Sequence, residues 1–102
     1  MNYLNGFIAV IFVLLTSCVT ASPPIEEYTK AEAAIKAAKA VQSVRYSPGN
    51  WHQAEETYRQ ARILYNEREY EQAKELFIKA RLSAEKAENS ARLLRQQTGD
   101  VL

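Results

Sequence analysis

Small and apolar residues recur at helical spacing along most of the chain. Tyr28, Ala31, Ile35, Ala38 and Val41 follow one another in steps of three or four, with Lys30, Lys36 and Lys39 on other faces. Trp51, Ala54, Tyr58, Ala61 and Tyr65 repeat the pattern in a second stretch. A third is the clearest: Tyr70, Ala73, Phe77, Ala80, Ala84, Ala87, Ala91 and Leu94 form an a/d seam sustained over about three heptads. The pattern predicts three helices. Pro23 and Pro24 hold the chain extended before the first. The segment RYSPGNW breaks it from the second, either with Ser47 as cap and Pro48 in the first turn, or with Asn50 as cap and Gln53 three residues on. A slip of the pattern near YNERE marks the next break. That stretch has no Gly or Pro, so one continuous helix stays open there. Gly99 in QQTGD can take a left-handed cap at the end.

The expected fold is all-α, a three-helix antiparallel bundle over residues 26–98 with a tail at 99–102. Its alanine seams stabilise by close approach of backbones. The bulk comes from Trp51, Tyr58, Tyr65, Tyr70, Phe77 and Ile35. Tyr58 and Tyr65 are read as core, or alternatively as the lining of a peptide groove. At about 1.5 Å per residue, a helix over 48–66 is roughly 28 Å long and one over 69–97 roughly 43 Å. The longer should overhang near NSARLLRQQ, leaving Ala91, Leu93 and Leu94 without intramolecular cover. That end is the candidate docking site for a partner, a frayed tail being the alternative.

The start of the chain has a different texture. Residues 7 to 15, FIAVIFVLL, are nine consecutive apolar residues. A membrane-spanning helix needs roughly 20, so the run fits the core of a signal peptide better than a span. The preceding MNYLNG carries no Lys or Arg. Leu15, Thr16, Ser17 and Cys18 follow, and this LTSC resembles the lipobox of bacterial lipoproteins. The resemblance implies a signal peptide over 1–17, a diacylglycerol on the Cys18 thiol, cleavage before Cys18, and a lipidated linker over 18–25. Two or three acyl chains, at about 0.8 kcal/mol per buried methylene, hold a protein on a membrane where one does not. By the sorting rule of that class, Val19 after the cysteine favours the outer membrane, facing the periplasm. An uncleaved anchor over residues 3 to 19 and a secreted chain with an incidental cysteine stay open.

Composition narrows the chemistry. Thirteen basic and 12 acidic residues leave a net charge of +1, which offers nothing to attract nucleic acid. One cysteine forms no internal disulfide, and one histidine, His52, makes no metal site with it. No nucleophile sits with a base and no glycine loop cradles phosphate. Glu55 and Glu56, adjacent on a helix, point two ways. The expectation is a non-enzyme without cofactor, partnered by the membrane through its lipid and by an unidentified envelope protein or a second copy of itself.

With the helices placed, two family resemblances follow. WHQAEETYRQARILYNEREYEQAKELFIKA resembles a tetratricopeptide helix pair: Trp51, Ala54 and Tyr58 answer to its first helix, and Ala73, Phe77 and Ala80 to its second. The first helix or turn is longer than in a true repeat of about 34 residues, and there is one copy. More of the chain is similar to the bacterial domain-of-unknown-function 4398 family, small alanine-rich helical lipoproteins of the envelope. Tyr46, Ser47 and Pro48 opening a helix, and the AEKAE turns beyond, carry that resemblance. It implies an all-helical envelope lipoprotein and assigns no activity. The alanine heptads also resemble those of the murein lipoprotein, which implies a structural coiled-coil oligomer as the runner-up.

Overall fold

The structure, a computed structural model, describes residues 2–16 and 21–99, and side chains throughout these except at 11–16. The described residues are all-α. Five helices are present where three were expected: α1 (Asn2–Thr16), α2 (Ile25–Ala40), α3 (Ser43–Tyr46), α4 (Pro48–Asn66) and α5 (Tyr70–Thr98). Two causes account for the difference. The apolar leader is itself helical, and the chain after α2 makes a separate one-turn helix before Pro48.

The break after α2 falls earlier than the RYSPGNW segment, at Val41–Gln42. Gln42 takes left-handed backbone angles, φ 61 and ψ 43, and its N–H donates to the Lys39 carbonyl at 3.0 Å. The α4 start resolves the two capping alternatives. Ser47 is the residue before the helix and Pro48 stands in the first turn, but the expected side-chain cap is not made: the Ser47 hydroxyl bonds no helix N–H, and the Trp51 N–H donates to the Ser47 carbonyl at 3.0 Å. Asn50 enters through its side chain, whose amide donates to the Ser47 hydroxyl at 3.0 Å.

The break near YNERE is real and needs no glycine. Arg68 adopts φ 64. Its N–H donates to the Tyr65 carbonyl at 3.1 Å and the Glu69 N–H reaches back to Leu64 at 2.9 Å. This reciprocal pair closes a helix end around one left-handed residue. Gly99 closes α5 with φ 79, as the sequence predicted.

Two hydrophobic clusters tie α2, α4 and α5 into a helical bundle. One gathers Ala31, Ala61, Ala73, Phe77 and Ala80, with Tyr28, Tyr58, Leu64, Tyr65 and Leu76 packed on it. The other gathers Ala34, Ala38, Trp51, Ala54, Ala84 and Ala87, with Ile35 packed on it. Proceeding along α5 from Ala73 to Ala87, the α4 partners run back from Ala61 to Trp51 and the α2 partners forward from Ala31 to Ala38. The six α5 seam residues from Ala73 to Ala91 are all 0% exposed. Alanine occupies five of the six, where a methyl fills the space between packed elements; Phe77 is the exception and carries the bulk of its cluster.

α1 touches none of the other helices among the described residues. Its Tyr3, Leu4, Phe7, Ile8 and Val10 are between 55% and 92% exposed. With α1 standing clear, the molecule is elongated, 83 × 17 × 16 Å. No helix of the described residues is long and apolar enough to cross a membrane.

Candidate functional site

The bundle has two unlike ends. At the end holding the α2 start and the α4–α5 turn, Phe77 is the centre of an aromatic cluster. Tyr28 lies 4.5 Å from it between ring centroids, Tyr58 6.0 Å and Tyr65 6.2 Å, and Tyr70 meets Tyr65 at 5.6 Å. Most of these pairs meet edge to face, the arrangement aromatic quadrupoles favour. Phe77 is wholly buried, whereas Tyr58 and Tyr65 are half-buried and keep one edge toward solvent. Burial pushes the Tyr58 hydroxyl up to about 12, helped by the Tyr28 hydroxyl and the Glu32 carboxylate against the opposing pull of Arg62. The two tyrosines named from sequence are therefore brought together, as members of the packed cluster.

At the opposite end, α3 lies across the C-terminal part of α5. Its Ser43 is fully buried, and the Ser43 hydroxyl has no hydrogen-bond partner. Here the expected overhang is corrected. Ala91 is 0% exposed, because α3 and the α2–α3 turn supply the cover that two helix lengths alone leave out. Leu93 and Leu94 do remain exposed, at 57% and 40%.

The seam also turns at its last step. Arg95, not Leu94, is the buried residue, 8% exposed. Its guanidinium donates to the Val41 carbonyl at 3.3 Å and lies 5.7 Å from the centre of the Tyr46 ring. The cover at this point is a carbonyl and an aromatic face, which suit an arginine better than a leucine. Sequence reasoning missed Arg95 because it counted apolar residues only. Its position four residues after Ala91 was the available signal.

Beside α3 a shallow trough of about 360 Å³ is lined by Lys39, Gln42, Val44, Arg45 and Trp51. A second depression lies at the other end, where Ala21, Ser22 and Pro23 face Arg68, Glu69, Tyr70 and Glu71. Among the described residues no group of three or more His, Cys, Asp or Glu is placed to hold a metal ion. Of the lipobox residues, Leu15 and Thr16 close the α1 backbone, while Ser17 and Cys18 lie outside the described residues.

The described residues define an all-helical bundle built on an alanine seam. A family model described as Domain of unknown function (DUF4398) matches residues 26–99, and the chain belongs to that family. No curated protein and no solved structure matches it.

Proposed function

We propose that the chain is a lipid-tethered, non-catalytic helical interaction module of the cell envelope. The observation that carries this reading is α1. Its described apolar side chains, Tyr3, Leu4, Phe7, Ile8 and Val10, are exposed, it touches none of the bundle helices among the described residues, and it ends at Thr16, two residues before Cys18. An uncovered apolar helix calls for a non-aqueous surrounding, and a helix of 15 residues, about 22 Å, falls short of a hydrocarbon core of about 30 Å. A leader that is recognised at the membrane and then removed satisfies both facts.

In this reading Cys18 carries the lipid and Val19 directs the protein to the outer membrane, facing the periplasm. α2, α4 and α5 form an up–down–up antiparallel bundle standing on that tether. The linker residues Ala21, Ser22 and Pro23 lie beside the α4–α5 turn, so this end is the one nearest the membrane. α3 and the end of α5, with Leu93 and Leu94 exposed, form the distal tip that meets a partner.

Membrane fractionation tests the tether. Wild-type protein should resist high salt and carbonate and dissolve only in detergent. Radiolabelled palmitate should enter the wild type and not Cys18→Ala. Label in neither protein would favour an anchor in α1 over a lipid on Cys18.

A further inference from the structure

The trough beside α3 has features that packing alone does not call for. Gln42 holds a left-handed conformation that L-residues with side chains avoid, and it does so to swing α3 out of line with α2. The turn that results seals the Ser43 hydroxyl without a partner. It also leaves Val44 57% exposed. Trp51, packed into the alanine cluster, forms the trough's other apolar wall. The rim is cationic: Lys39 from the last turn of α2, and Arg45, whose guanidinium lies 5.2 Å from the Tyr46 ring centre. No carboxylate lines the trough.

We infer that this trough docks an acidic segment of a partner protein, one that presents an apolar side chain flanked by carboxylates. The apolar side chain sits against Val44 and Trp51. The carboxylates meet Lys39 and Arg45, the arginine with a fork that a carboxylate matches in two bonds. The trough volume, about 360 Å³, suits one such side chain with its stretch of backbone. Complementarity of charge selects the occupant, because opposite charge at a rim steers encounter and rejects a basic competitor. The inference rests on the interaction-module reading and not on the lipid. Loss of the tether would leave the trough standing, and loss of the trough would leave the tether untouched.

Trp51 is the single tryptophan of the chain, so its emission reports on the trough wall and the cluster behind it and on no other part of the molecule. The full chain in uncharged detergent is titrated with a synthetic peptide of two glutamates, one leucine and two glutamates. The same peptide with lysine in place of glutamate is the control. A saturable shift in Trp51 emission is expected with the acidic peptide and none with the basic one. Lys39→Glu and Arg45→Glu should each weaken binding about tenfold, in keeping with the loss of a charge-assisted contact. Both side chains are exposed, so helicity by circular dichroism should not change. The inference is overturned if the acidic peptide gives no saturable shift, if the lysine peptide does as well, or if Lys39→Glu binds as tightly as wild type. It is equally overturned if vesicles of anionic phospholipid shift Trp51 emission and the acidic peptide does not.

Discussion

Phe77→Ala probes what holds the bundle together. Phe77 is the largest fully buried side chain and the hub on which Tyr28, Tyr58 and Tyr65 converge from α2 and α4. A buried phenylalanine removes roughly 150 Å² or more of apolar surface from water, about 4 kcal/mol at 25 cal/mol per Å². Truncation also strips one edge from each aromatic pair and leaves a cavity, which puts the cost of Phe→Ala at about 3–5 kcal/mol. Alanine is the better helix former by roughly 0.5 kcal/mol, a small offset. The net loss expected is about 3–4 kcal/mol. A domain of this size has a total stability of only about 4–11 kcal/mol, and one that buries mostly alanine belongs toward the lower end. Urea denaturation followed by far-ultraviolet circular dichroism, with Phe77→Leu beside it, measures the difference. Phe77→Leu keeps most of the volume and should cost about 1–1.5 kcal/mol. A loss under about 1.5 kcal/mol for Phe77→Ala would refute the assignment of Phe77 as the core hub, since no well-packed phenylalanine comes out that cheaply.

The remaining predictions concern other parts of the fold. Arg68→Gly should raise the urea midpoint, by about 0.5–1 kcal/mol of stability, because glycine takes the left-handed angle at the α4–α5 turn without a side-chain clash; a lowered midpoint would contradict the turn geometry. Ala84→Leu forces a larger side chain between Trp51 and the α5 backbone and should destabilise by about 1–3 kcal/mol, whereas the same change at exposed Ala33 should be near neutral; equal effects at the two sites would refute the seam. The Tyr58 hydroxyl stays protonated to higher pH when folded, about 12 against an ordinary value near 10. Its contribution to stability is therefore complete below pH 10 and disappears as pH climbs toward 12. Tyr58→Phe should keep more of its stability across that alkaline window, read by denaturation at stepped pH. Because the α5 seam is covered within one chain, light scattering should find a monomer; a stable trimer would restore the coiled-coil reading.

Legibility in the sequence followed the size of the residues. α5 was readable almost residue by residue, since Ala73, Phe77, Ala80, Ala84, Ala87 and Ala91 leave no rival face. α2 was read with one substitution: Ala34 is buried where the spacing nominated Ile35, which packs at the edge of the cluster instead. A face that must approach another backbone closely selects the smaller of two adjacent apolar residues. Thr57 escaped for a related reason, being polar in name but small and largely apolar in surface, and it is buried in α4. The i,i+4 ion pairs of α5 form at Arg81–Glu85 and Glu88–Arg92. The α3 end of the bundle was the least legible. Gln42 and Arg68 do work usually given to glycine, so composition alone does not mark their turns. Once the α2–α3 turn is missed, so are α3, the cover over Ala91, and the trough between Lys39 and Arg45.

The most direct test of the tethered-module account is the intact mass of protein extracted from membranes, beside Cys18→Ala. The account predicts a mass equal to residues 18–102 plus acyl chains for the wild type, and no acylated species for the variant. A full-length, unmodified chain retained in the membrane would contradict it, leaving Cys18 incidental and the outer-membrane placement without support.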